Sequence, residues 1–178
     1  GRESNSAAHK GAKPATQPKT WLEVAPGPRS EARVRYVDSR FGVRHDFPFE
    51  PRRLRGRDGD LIYFDVGRGT PLVCIHGLVG DFTHFEYLAT RLVSAGHRVI
   101  DVDLTGGGAS HKRRERYDTD GFARDVIHLI DALGLEHAVL VGHSAGGAIS
   151  AEVALRLPRR VSHLVLLSSA GLRSFVRP

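Results

Sequence analysis

Val139-Leu140-Val141-Gly142-His143-Ser144-Ala145-Gly146-Gly147-Ala148-Ile149 decides how this chain is read: an apolar run is broken by GxSxG and then continues in small residues. A serine hydroxyl becomes a nucleophile only when a base takes its proton and donors stabilise the oxyanion that follows. A sharp strand-to-helix turn meets part of that need, because it lifts Ser144 above a sheet and aims helix N-terminal amides at the reacting centre. Gly142 and Gly146 keep the two backbones from colliding. In a chain with 20 glycines the pentapeptide alone is weak evidence. Its context strengthens it, since Ile149, Val153 and Leu157 recur behind it at helical period.

Working outward, a second apolar run, Leu72-Val73-Cys74-Ile75, has the short continuous form of a strand buried on both faces and ends in His76-Gly77-Leu78-Val79-Gly80-Asp81. Phe85, Leu88 and Leu92 then mark a helix that runs through Ser94 and stops at Gly96. Arg98 to Val102 reads as the next strand, followed by Asp103-Leu104-Thr105-Gly106-Gly107-Gly108-Ala109-Ser110. A helix from Thr119 or Asp120 to Leu133 carries Phe122, Val126, Ile130 and Leu133 on one face, with Gly134 as its stop. The strand Ala138–Val141, the Ser144 helix ending at Pro158 and a strand over His163–Leu167 complete the alternation. Upstream, Asp58-Gly59 between two extended stretches marks a hairpin. Strands alternating with amphipathic helices predict an α/β fold, a mostly parallel sheet with helices on both faces.

Three signatures, His76-Gly77, the Asp103-to-Ser110 loop and Gly142-His143-Ser144-Ala145-Gly146-Gly147, each end a strand in this order. Together they resemble the α/β-hydrolase fold family, in particular its members with a His-Gly oxyanion loop, over residues 52–172. The resemblance implies that Ser144 is the nucleophile of a catalytic triad and that the backbone N–H groups of Leu78 and Ala145 form the oxyanion hole. It implies that Gly77 lets Leu78 approach the substrate and that His76 braces the loop, with His76 and His143 both less suited as the base. The activity implied is hydrolysis of an ester, thioester, lactone or amide of a small-molecule acyl substrate through an acyl-enzyme. An acyltransferase on the same fold, or a non-catalytic binding module, are the alternatives.

In that family the triad acid and histidine follow the serine. Here the acid after Ser144 is Glu152 and the histidine is His163, and neither fits the pattern; Ser168, Ser169 and Ala170 occupy a place where some members carry the acid. The expectation is therefore a core truncated before the cap and the last strands, inactive as it stands, with Leu164–Leu167 left as an apolar edge. Residues 1–30, rich in Pro, Ala and Lys, read as a flexible tail, 31–51 as an ill-defined N-terminal segment, and 52–178 as the N-terminal part of the hydrolase domain.

Composition closes off other classes. The 40% hydrophobic content is that of a globular protein. No apolar run approaches the roughly 18 residues of a membrane span, and the start lacks a signal-peptide core. A soluble, cytoplasmic protein is expected; the absence of any methionine leaves the true N-terminus, and hence secretion, open. The net charge of +6 comes from 22 arginines against 4 lysines. Acidic residues interleave with the nine arginines between Arg29 and Arg57, which favours a solvated surface over nucleic-acid binding. Cys74, the one cysteine, reads as an inert core thiol. No metal or cofactor motif is visible: Gly106-Gly107-Gly108 lacks the following Lys-Ser/Thr pair of a phosphate loop. Nothing in the sequence speaks to oligomeric state.

Overall fold

The computed structural model describes residues 50–56, 59–112 and 117–171, together with the backbone of three strands further upstream. Those strands, β1 (Leu22–Val24), β2 (Val34–Asp38) and β3 (Val43–Phe47), form an antiparallel sheet in that order. β1 lies within the stretch read as a tail, and β2 and β3 within the segment left undefined. Residues 1–21, which make up most of the expected tail, lie outside the described residues.

The main sheet has six strands: β4 (Arg52–Arg55), β5 (Asp60–Gly67), β6 (Pro71–Ile75), β7 (Arg98–Val102), β8 (Ala138–His143) and β9 (Val161–Leu167). Their spatial order is β4-β5-β7-β6-β8-β9. β4 pairs antiparallel with β5, as the hairpin signal predicts, and Arg55 opposite Asp60 leaves a four-residue connection. β5 is also antiparallel to β7; from β7 through β9 every pairing is parallel.

Three helices link the parallel strands: α1 (Glu86–Ser94), α2 (Thr119–Ala132) and α3 (Ala145–Arg156). Because side chains alternate across a strand, the continuous apolar runs serve both faces. Val73, Ile75, Ile100, Val102 and Leu140 pack with Phe122, Val126, Leu129 and Ile130 of α2 and Ile149 and Val153 of α3. Leu72, Cys74, Val99 and Val141 face the other way, onto Phe85 and Ala89, with Leu88 and Leu92 alongside. Helices therefore cover both faces. The Cys74 thiol is fully buried, and burial followed by the Asp101 charge pushes its pKa well up, which keeps it an unreactive thiol.

Strand order fixes where a site can form. The chain leaves β6 for β7 on one side and returns to β8 on the other, and crevices open at the carboxyl ends of strands around such a switch. Ile75 lies opposite both Val102 and Gly142. The three strand ends are thus level, and His76, Asp103 and Ser144 emerge together. No helix among the described residues is long and apolar enough to cross a membrane.

Candidate active site

Ser144 sits between β8 and α3 with φ 53° and ψ −120°, a left-handed conformation that costs a non-glycine residue on the order of 1–3 kcal/mol. The surrounding backbone holds it there. Its N–H donates to Leu167 O at 3.0 Å, and its carbonyl accepts from Gly147 N at 3.0 Å and Ala170 N at 2.8 Å. The exit of β9, where Ser168 is also left-handed at φ 46°, thereby clamps the turn from outside. A serine at this position ordinarily caps its helix through its side chain. Here the side chain makes no capping bond, so the strained backbone leaves the hydroxyl free.

The glycines on either side serve close approach and not unusual dihedrals, since neither has a positive φ. A Cβ on Gly146 would lie 2.0 Å from Ile75 O and 2.6 Å from His76 O; one on Gly142 would lie 2.4 Å from Gly146 O. The first turn of α3 can press against the end of β6 only without side chains at these positions. Gly77 is the point of contact across the site: its missing Cβ would stand 3.2 Å from Ser144 Cβ and 3.6 Å from Ser144 Oγ. Leu78 and Val79 follow on the turn closed by Gly80 N to Gly77 O at 2.9 Å and are 67% and 80% exposed. Ala145 opens α3, so its N–H has no acceptor within the helix.

His76 is buried and both ring nitrogens are engaged. Leu104 N–H donates to Nε2 at 2.9 Å, so the proton is on Nδ1, which donates to Gly77 O at 2.6 Å. Burial is the main cause holding its pKa below the ordinary value. The ring is a neutral strut between the two loops. Asp103 is a second tie. Its Oδ1 accepts from Phe82 N and its Oδ2 from Ala109 N, each at 2.7 Å, joining the 3₁₀ turn Phe82–Phe85 to the glycine loop. Burial pushes this carboxyl up to about 7 against the pull of those two N–H groups.

Three participants carry no motif in the sequence. Lys112 donates to the carbonyls of Gly106, Gly107 and Gly108 at 2.8–3.1 Å. His84 stacks on His143 with ring centroids 4.6 Å apart. Asp101 is buried, and neither carboxylate oxygen has a hydrogen-bond partner. Asp81-x-Thr83 was the one readable signal here: the Asp81 side chain accepts from Thr83 N at 3.0 Å and caps the 3₁₀ turn.

The two acid–base residues downstream of Ser144 lie away from it. Glu152 pairs with Arg156 on α3. His163 is opposite Val139, four residues before Leu167, about 13 Å along the strand. Among the described residues, no histidine or carboxylate hydrogen-bonds to the Ser144 hydroxyl, and no group of three or more His, Cys, Asp or Glu could hold a metal ion.

A strand ending in a strained serine, a helix starting behind it and glycine contacts on both sides form a sharp strand–serine–helix elbow. The family model for the alpha/beta hydrolase fold matches residues 70–177. This chain belongs to the alpha/beta hydrolase fold family. Among its relatives, the dihydrolipoyllysine-residue acetyltransferase component of the acetoin cleaving system of Pseudomonas putida is 44% identical over 114 residues, 63% of this chain and 30% of that protein. The AB hydrolase superfamily protein YisY of Bacillus subtilis is 41% identical over 119 residues, 66% of this chain and 44% of that one. Among solved structures, an esterase from Exiguobacterium antarcticum superposes with a TM-score of 0.66 at 32% identity, covering 68% of this chain and 46% of the esterase. The chain thus spans less than half the length of each of these alpha/beta hydrolase relatives.

Proposed function

We propose that the protein to which this chain belongs is a serine hydrolase acting on a carboxylic ester, thioester, lactone or amide through an acyl-enzyme at Ser144. The strained Ser144 turn, with its hydroxyl spared from helix capping, carries this reading. Ser144 Oγ attacks the carbonyl carbon, and the negative charge that develops on the carbonyl oxygen is met by the N–H groups of Leu78 and Ala145. Leu78 sits on the loop that touches Ser144 at Gly77, and Ala145 N–H lies at the positive end of the α3 dipole. The elbow strain keeps the hydroxyl presented, so no conformational cost is incurred at the moment of attack.

Moving the serine proton needs a base. His76 cannot serve, because both its nitrogens are committed to Leu104 and Gly77. We place the base and its orienting acid outside the described residues, and residues 1–178 alone are expected to lack serine-dependent turnover. Transfer of the acyl group to an alcohol or thiol instead of water uses the same nucleophile; the name of the Pseudomonas putida relative, an acetyltransferase component, keeps that reading alongside.

The test is turnover of an activated ester by the full-length protein, with and without an added alcohol or thiol acceptor. Release of free acid, abolished by Ser144→Ala, supports hydrolysis. A transfer ester formed in preference to acid favours the acyltransferase, and turnover unaffected by Ser144→Ala overturns both.

A further inference from the structure

The stacked histidines bridge the two halves of the site. His143 is the last residue of β8, immediately before Ser144, and His84 lies on the 3₁₀ turn that ends the loop begun at His76. Their rings are tilted by 33° with centroids 4.6 Å apart. The His143 Nδ1 is shut off from solvent and has no hydrogen-bond partner, so its place is set by ring packing and not by a polar anchor. Gly80 lies between His84 and His76. A Cβ there would stand 3.0 Å from His84 Nδ1 and 3.1 Å from His76 Cβ, so the loop runs close between these two side chains.

We infer that His84 is a positioning residue: by packing its ring on His143 it holds the nucleophile turn against the loop bearing Leu78, and the hold weakens when the His84 ring is charged. The inference rests on the roles proposed above for Ser144 and Leu78. A charged His84 ring is better solvated away from the His143 face than packed against it. The titratable and charged groups around the pair act in opposing directions. Burial and then the His143 charge lower the His84 pKa, while the Asp81 carboxylate raises it. His76, on the far side of Gly80, feels Asp81, His84 and Lys112, but its burial keeps it neutral.

The experiment is NMR of histidine rings and backbone amides on the protein from about pH 8 down to pH 5, the range in which histidines titrate. The Leu78 and Ala145 amide resonances are expected to move together, tracking the His84 ring. His84→Phe keeps an aromatic face on His143 but takes no proton, and it should abolish the concerted movement while preserving amide dispersion. His84→Gln, which removes the ring, should place both amides near their acid-form positions at every pH. The inference is overturned if the amides fail to track His84, or if they move with an unchanged midpoint in His84→Phe. These readouts need no turnover, so a failure of the serine-hydrolase reading would appear separately, as Ser144→Ala leaving ester turnover intact.

Discussion

Leu104 N–H donates to His76 Nε2 at 2.9 Å across the gap between the β6 and β7 exits, while His76 Nδ1 holds Gly77 O at 2.6 Å. One neutral imidazole thus sets the height of the Gly77–Gly80 turn relative to the Asp103 loop. Replacing His76 with Leu keeps bulk but orphans the buried Leu104 N–H, worth about 1–3 kcal/mol, while Gly77 O keeps the N–H of Gly80. Urea unfolding should show a loss of about 1–3 kcal/mol, the cost of that one unsatisfied group. A loss under about 0.5 kcal/mol, the scale of an ordinary surface substitution, would mean that the bonds are dispensable.

Gly146→Ala inverts a general rule. Alanine in a helix is ordinarily favoured over glycine by about 1 kcal/mol, but here its Cβ would meet the Ile75 and His76 carbonyl oxygens, which belong to backbone that cannot swing aside. The variant should be destabilised by at least about 1–3 kcal/mol, as in overpacked cores, measured by thermal or urea unfolding. A gain in stability would show that α3 does not pack as described.

Asp101 makes stability depend on pH. Burial, with Asp103 and Asp81 adding to it, raises its carboxyl well above the ordinary value in the folded state. The folded chain therefore holds a proton that the unfolded chain gives up near pH 4. Its contribution is fully present below that pH and is lost as pH rises toward the folded pKa, at up to about 1.4 kcal/mol per pH unit. Asp101→Asn cannot ionise, so its stability relative to wild type should climb from pH 4 to pH 8. Parallel stability–pH curves for the two proteins would contradict this.

β9 bears on association. Among the described residues its one partner is β8, and Leu164, Val165 and Leu167 are 38–41% exposed. An apolar edge strand is a template for pairing with another chain. In residues 1–178, Val165→Lys should reduce concentration-dependent light scattering. Scattering equal to wild type would place the sticky surface elsewhere.

The core of the fold was legible because its apolar runs are short, bounded by glycines and separated by helices of clear period. α2 was expected from Thr119 or Asp120 to Leu133 and spans Thr119–Ala132. The Ser144 turn was legible because GxSxG is a steric requirement written in residue types. The supports were not. Lys112 acts through three glycine carbonyls, a role that leaves no pattern in residue type. His84 and His143 meet across 59 positions of chain, and only the parallel register of β6 and β8 brings their segments together. Asp101 sits within an apolar run, where a single carboxylate reads as a surface position until both faces of the sheet are seen to be covered.

The central claim is that Ser144 is a presented nucleophile, and covalent labelling of the full-length protein with a fluorophosphonate tests it most directly, with the modified residue located by mass spectrometry. The account predicts one adduct per chain, on Ser144, and none in Ser144→Ala. An unlabelled wild-type protein that is folded, or an adduct that persists in Ser144→Ala, would contradict it.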